Sequence, residues 1–406
     1  MPSTLRINNL TPATRSKTYF SVLVILGSTH LLNDLMQSLI PASYPILKET
    51  YGLDFIQIGL ITFTFQIAGA LLQPIIGMAT DRYPAPYSPV AGMMFTLSGL
   101  VNLAFAQTYE MILISVALIG IGSSIFHPEA TRMARYAAGS QQGLAQGIFQ
   151  VGGQAGGALG PVFAALVIVP WGQPSLAWFA VLALLASIFL IWIGSKQREI
   201  SAEFLNMLTD RKSAFGEPVH PPVTISIGLA VLTFLMFSKN LYGESFRSFY
   251  TFYLIERFGL SIPASQMMLF VFLISAALGV LIGGIIGDRI GRYRIIWISI
   301  LGPLPLTLVL PYADLFWTGM LTVMINLIMA SAFASILIYA IDLLPNRIGL
   351  IGGLFYGLNF GLGGVAAGFL GMLTENYGVE TVYLICSFIP LAGLLTWFLP
   401  RIDERD

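Results

Sequence analysis

The feature that most constrains this chain is its succession of long apolar runs. From Tyr19 to Leu399 they follow one another with only short polar breaks. A helix crossing the bilayer hydrocarbon needs about 20 mostly apolar residues, and it must satisfy every backbone N–H and C=O internally. Twelve runs meet that need: Tyr19–Leu47, Phe55–Ala79, Ser88–Ala106, Met111–Ala134, Gly143–Val169, Ser175–Gly194, Val223–Tyr253, Pro263–Gly287, Ile295–Leu310, Leu315–Leu343, Gly349–Leu373 and Val379–Leu399. Charged residues make up only 10% of the chain, against about 25% in a soluble domain. That is too little charge to cover a water-facing surface, so lipid is the solvent for most of the chain. The expected fold class is an all-α membrane protein with twelve transmembrane helices.

The same composition excludes several functions. A net charge of zero leaves no electrostatic footprint for nucleic acid. One cysteine, Cys386, permits neither an intrachain disulfide nor a cysteine-based metal site. No G-x-x-x-x-G-K-[ST] loop is present, so ATP is not expected to power the protein directly. The polar start "MPSTLRINNLTPATRSK" leads into a long span, so no cleaved signal peptide is expected. Of the 20 lysines and arginines, only Lys48 and Arg257 fall on one side of the spans. Lys239 and Arg247 fall inside or near the end of a span, and the remaining 16 lie on the side of the termini. Positive charge stays inside, so both termini are expected in the cytoplasm.

One polar connector is long. Residues 195–222 separate a six-helix half, 1–194, from a second, 223–406, and Ile200, Phe204 and Leu208 recur there at helical spacing. This predicts a linker with an amphipathic helix on the cytoplasmic surface. The halves look like copies. "GMATDR" ending at Arg82 matches "GIIGDR" ending at Arg289, an offset of 207; "GLAQGIF" from Gly143 matches "GLIGGLF" from Gly349, an offset of 206. Two matches at nearly one offset predict pseudo-symmetric halves, with a site between them near mid-membrane.

"GGIIGDRIGRYR", Gly283 to Arg294, resembles the loop signature of the major facilitator superfamily, between the second and third helices of each half. More narrowly, "TDRYPAPYSPVAGM", "FHPEATRMA" and "GLAQGIFQVGGQAGGALGP" resemble the fosmidomycin resistance group of that superfamily. The resemblance implies a bacterial inner-membrane exporter that exchanges a drug for protons by alternating access, with fosmidomycin, a small phosphonate, as a candidate substrate. Asp81, Arg82, Asp288, Arg289 and Arg292 take the place of its gating loops; the first copy has prolines where the family has glycine and further basic residues. "GIFQVGGQAGGALGP" resembles the antiporter motif of the fifth helix.

Polar residues inside the spans are the candidates for transport chemistry, because charge there is expensive and marks function. His30, Asn33, Asp34 and Gln37 share one helical face of the first span, with Asp34 about 16 residues in. The offset carries Asn33 to Asn240 and Gln37 to Glu244, so Lys239, Tyr242, Glu244 and Arg247 of the seventh span form a counterpart stripe. In the fourth span His127 and Glu129 lie deep beside Pro128, and Glu129 is one turn from Arg132. Gln150 and Gln154 share a face in the fifth span, and Asn359 is the polar residue nearest their counterparts. The expected proton-coupling residues are Asp34, His30, His127, Glu129 and Glu244. The expected substrate contacts are Asn33, Gln37, Arg132, Gln150, Gln154, Lys239, Tyr242, Arg247 and Asn359. The cations suit an anionic substrate.

No cofactor, bound metal or enzymatic activity is expected, and the partners are a small molecule, protons and the bilayer, with the chain a monomer. Three alternatives share these residues: an uptake symporter, a transport-dead sensor, and an intramembrane metalloenzyme using His30/Asp34 and His127/Glu129. The last lacks the tight H-E-x-x-H spacing.

Overall fold

The computed structural model describes residues 18–83, 85–139, 142–211, 221–332, 335–336, 339–340, 343 and 348–399. The side chains of Asp81, Arg82, Asp288, Arg289 and Asn359 lie outside what is described.

Among the described residues the regular structure is helical. The first half holds α1 (Phe20–Ala42), α2 (Tyr44–Tyr51), α3 (Phe55–Arg82), α4 (Ser88–Ala104), α5 (Tyr109–Ala137), α6 (Gln142–Phe163), α7 (Val169–Trp171) and α8 (Ala180–Arg211). The second holds α9 (Pro222–Phe258), α10 (Ile262–Ile290), α11 (Arg292–Leu301), α12 (Leu304–Val309), α13 (Leu315–Ala330), α14 (Ile348–Tyr377) and α15 (Val379–Cys386). Among the described residues, eight helical stretches are long and apolar enough to cross a bilayer, and α4 and α13 are shorter apolar helices. With α1 and α14 they make up the twelve spans. The polar face of α1 is what lowers its mean hydropathy.

Local chemistry sets where helices begin and break. Asp54 accepts the Gln57 amide while the Gln57 side chain accepts the Asp54 amide, a capping box that starts α3. Thr108 and Asp314 cap α5 and α13 in the same sense. Among the described residues, three expected spans break near prolines, and the tenth leaves α13 for a turn after Ala330. The first stops at Ala42 and restarts at Tyr44, with Pro41 and Pro45 flanking the joint. The ninth breaks between Leu301 and Leu304 at Gly302–Pro303. The twelfth leaves the α-helix after Cys386, and Pro390 lies in the 3-10 stretch that completes it. Proline removes the amide that a continuous helix would use.

The expected linker begins as a continuation of the sixth span, and the side chains of Phe204 and Leu208 lie outside what is described. α8 runs unbroken from Ala180 to Arg211, so the sixth span continues directly into the polar connector, and Ile200 is buried as part of it. At 37 residues, α9 is about 55 Å long at 1.5 Å per residue. It therefore exceeds a hydrocarbon core of about 30 Å and projects beyond it.

Without a hydrophobic force between helices in lipid, close packing depends on small residues. The α1–α6 contact uses them. Gly152 faces Gly27, Gly156 faces Leu31 and Gly160 faces Ser38, each so closely that a methyl group would collide. The contact between halves uses the same device: Gly59 of α3 meets Ala367 and Gly371 of α14, and Ala70 meets Gly361. At the end bearing the α1–α3 connection, the Gln266 amide donates to the Ala42 carbonyl at 2.8 Å and the Phe55 amide donates to Glu375 Oε2 at 2.8 Å. The halves are thus tied together at that end.

Candidate functional site: a carboxylate between two histidines

α1 places His30 and Asp34 four residues apart, so both project from one face. α5 crosses beside them and brings His127 to the same point. His30 Nε2 lies 3.2 Å from Asp34 Oδ2, and His127 Nε2 lies 3.6 Å from Asp34 Oδ1. The His30 ring stacks on Phe149 at 4.0 Å and meets His127 edge-on at 5.2 Å.

The far side of each ring fixes its tautomer. His30 Nδ1 lies 2.7 Å from the Phe149 carbonyl, and His127 Nδ1 lies 2.9 Å from the Ser123 carbonyl. A carbonyl can only accept, so each Nδ1 carries a proton and donates. Both Nε2 atoms therefore address the single Asp34 carboxylate. A neutral ring would point a lone pair at a carboxylate oxygen, which repels it; a proton in each gap relieves this. Asn33 supports the carboxylate by donating from Nδ2 to Oδ1 at 3.0 Å. His30 is buried, whereas the Asp34 side chain keeps 26% of its surface accessible. The cluster is thus held from behind and open in front.

One donor atom from each of His30, Asp34 and His127 lies within 4.8 Å of the others. Two imidazoles and a carboxylate are a competent metal set. A metal would compete with protons for the same Nε2 lone pairs.

This pairing differs from the sequence pattern, which put His127 with Glu129. Glu129 turns away and pairs with Arg132, Oε1 to Nη1 at 2.6 Å. Arg132 Nη2 also donates to the Gly77 carbonyl at 3.2 Å and to Thr80 Oγ1 at 3.0 Å. These bonds tie α5 to α3 within one half. Residues 127 and 129 are about 200° apart around a helix of 3.6 residues per turn, so the two side chains serve opposite faces.

Other candidates are placed as follows. Gln37 is buried and accepts from Ser123 Oγ at 3.3 Å, which in turn lies 3.1 Å from His127 Nδ1. Gln150 is half-buried and Gln154 is exposed. Lys239 Nζ donates to Ser299 Oγ at 3.5 Å, toward α11 inside the second half. The Tyr242 ring is buried against Phe246 at 5.3 Å. Arg292 is half-buried at the start of α11.

Glu244 is 2% exposed and belongs to a network across the halves. Ser248 Oγ donates to Glu244 Oε1 at 2.6 Å; Gln66 Nε2 and Arg247 Nη1 reach Oε2 at 3.2 Å and 3.3 Å. The chain continues through Thr62 Oγ1 at 3.2 Å from Ser248 Oγ, and Tyr44 Oη at 2.6 Å from Thr62. The Arg247 side chain stays 49% exposed. Sequence reasoning missed Tyr44, Thr62, Gln66 and Ser248, since a lone hydroxyl or amide in an apolar run carries no periodic signal.

Gly153 was visible only as one glycine in a glycine-rich stretch. A Cβ on it would lie 2.5 Å from His30 Cε1 and 2.8 Å from Asp34 Oδ2. Gly153→Ala is therefore expected to displace the cluster, at about 1–3 kcal/mol for overpacking, and to cut transport sharply in folded protein. A Cβ on Gly157 meets nothing within 4 Å, so Gly157→Ala should transport normally. Equal transport by both variants, measured at matched membrane levels, would remove Gly153 from the site.

Twelve helical spans in two halves match one family. The sequence model of the Major Facilitator Superfamily matches residues 26–368. The chain belongs to the major facilitator superfamily. It is 50% identical over 393 residues to the fosmidomycin resistance protein of Escherichia coli (strain K12), covering 97% of this chain and 96% of that one. It is 37% identical to the uncharacterized MFS-type transporter YfnC of Bacillus subtilis (strain 168), covering 96% and 94%. Among solved structures, a D-xylose–proton symporter superposes with a TM-score of 0.76 at 14% identity, over 96% of this chain and all of that one. A bacterial homolog of the lysosomal transporter Spinster, inward-facing and occupied, superposes with a TM-score of 0.67 at 16% identity, over 95% of each chain. At such identities these likenesses show the fold. Family and fold are those of multi-pass membrane transporters of small molecules, and this chain is one.

Proposed function

We propose that this transporter exports a small anionic compound, fosmidomycin or a phosphonate like it, in exchange for protons. The observation that carries this reading is Asp34 held between two Nε2 atoms and open on one side. Its carboxylate and the two imidazoles are three bases sharing one pocket. One proton beyond the two fixed Nδ1 protons makes the cluster neutral, and a second makes it a cation. Histidine changes charge near physiological pH, so the cluster can load and unload within a transport cycle. The 50% identical fosmidomycin resistance protein supports direction and substrate.

The placed cations refine where an anion would bind. Arg132 is engaged with Glu129, Gly77 and Thr80, and Lys239 is turned toward Ser299. Arg247, half exposed, and the protonated histidine cluster remain to receive it. The charge bias of the loops supports an orientation with both termini in the cytoplasm of a bacterial inner membrane. The end tied by Ala42–Gln266 and Phe55–Glu375 is then periplasmic, and the conformation is inward-facing. The Glu244 network acts as a lock at that end, released as the halves rock outward. The duplicated Asp-Arg loops, Asp81–Arg82 and Asp288–Arg289, gate the opposite end, and the chain works as a monomer.

The test is coupled flux in everted vesicles energised to be acidic inside. Fosmidomycin added outside should accelerate proton efflux from the lumen and accumulate within. Accumulation without proton movement would refute coupling; drug-driven proton entry would mean symport.

A further inference from the structure

A second site lies on the outer face of the other half. Between the start of α11 and the last turn of the twelfth span is a groove of about 550 Å³ lined by Tyr293, Arg294, Trp297, Ile298, Trp397 and Leu399. Its walls are apolar and aromatic. Trp297 is 41% and Trp397 80% exposed, which in this fold means facing lipid. Its mouth is cationic: Arg294 is exposed and has no carboxylate within ion-pairing distance among the described residues.

The backbone adds to that charge. α11 starts at Gly291, φ 93°, without a side-chain cap and without an acidic residue in its first turn. The first described helical bond runs from the Ile295 amide to the Gly291 carbonyl at 3.3 Å, so the Tyr293 and Arg294 amides before it have no helical acceptor among the described residues. Such amides, with the positive end of the helix dipole, attract anions. Tryptophan and tyrosine favour the membrane–water boundary. The groove therefore offers a headgroup end and an acyl end.

The repeat shows that this is not a feature of every such helix pair. The offset of 207 carries Arg294 to Tyr87, Trp297 to Val90 and Trp397 to Leu190. In the first half, the Tyr87 ring packs against Gly194, where a Cβ would lie 2.8 Å from Cε1. An aromatic ring there occupies what the second half leaves open, and the arginine is absent.

We infer that this groove binds an anionic glycerophospholipid, its phosphate held by Arg294 and the α11 amides and its chains lying along Trp297 and Trp397. Charge complementarity selects the occupant: a zwitterionic lipid gains less from an exposed arginine, and a free phosphate gains nothing from the tryptophans. A basic pocket between spans at a membrane face is a recognised form of lipid recognition.

Native mass spectrometry of the full-length protein, delipidated in detergent and titrated with phosphatidylglycerol or phosphatidylethanolamine, tests this. Wild type should retain phosphatidylglycerol several-fold better than phosphatidylethanolamine. Arg294→Gln should abolish that preference, and Trp397→Ala should weaken binding of both lipids. Arg257→Gln, at the opposite end, should change neither, and size-exclusion profiles should report all variants as folded. Equal retention of the two lipids by wild type, or an undiminished preference in Arg294→Gln, would overturn the proposal. Displacement of bound lipid by millimolar inorganic phosphate alone would show an anion site rather than a lipid site. None of these readouts depends on transport, so they stand or fall separately from the exporter reading.

Discussion

Asp34→Asn is expected to abolish drug accumulation driven by a pH difference, down to the level of vesicles without the protein. The amide keeps the shape of the carboxylate. Its Nδ2 can donate to one imidazole Nε2, so the fold and the α1–α5 contact should survive. What it removes is the ionisable group facing both Nε2 atoms, at 3.2 Å and 3.6 Å. Without the carboxylate, a proton on either histidine would be an uncompensated charge in a low-dielectric pocket. Loading and unloading would stop. Equilibrium binding of fosmidomycin should change by less than about tenfold, roughly 1.4 kcal/mol, since Arg247 is untouched and the variant also removes a negative charge. Counterflow, which needs no net proton transfer, should persist in part. If the variant still concentrates drug under an imposed gradient, Asp34 is not the coupling group.

The second large effect is on stability. Arg132→Met should lower the apparent Tm of the purified protein by roughly 6–20 °C, taking about 3–5 kcal/mol for breaking a buried pair and about 2–4 °C per kcal/mol. Glu129 is 2% exposed, so its carboxylate would be stranded once Arg132 is gone. Gly77 and Thr80 would lose their donor as well. Adding Glu129→Gln in the same chain should recover part of the loss, because it removes the stranded charge. A single variant as stable as wild type would show that water or another group reaches Glu129. The contrast with Asp34 is informative: both acids are membrane-embedded, yet one is predicted to govern turnover and the other the integrity of the first half.

The two acids could not be assigned from the sequence. Both sit near a histidine in the chain, and chain neighbourhood favoured Glu129 for His127. Helical geometry favoured neither, since a residue two positions away points elsewhere and the true partner is on another helix. The face of α1 was legible, because His30, Asn33, Asp34 and Gln37 repeat at three and four residues on one element. The closing of that face against α5 was not, because the contact lies between residues 93 positions apart in the chain. Gly153 shows the same divide. Its spacing in a glycine-rich helix marks it for close packing, but only the crossing of α6 over α1 makes it the floor of the histidine–aspartate pocket.

The repeat was read from two short matches, and it located the halves. It did not predict side-chain roles. The offset pairs Gln37 with Glu244, yet Gln37 bonds within its own half while Glu244 bonds across to Gln66. Likewise Lys239 shares a helix with Arg247 but faces α11, because residues eight apart on α9 are separated by about 80° of rotation.

Length, apolar runs and scarcity of charge determined by themselves that the chain spans a membrane as helices, since no other structure there satisfies the backbone within each segment. The duplicated loops determined two halves. Which polar groups meet was decided only by tertiary packing: helix crossing angles and small-residue contacts select one partner among several that are equally compatible with spacing along the chain.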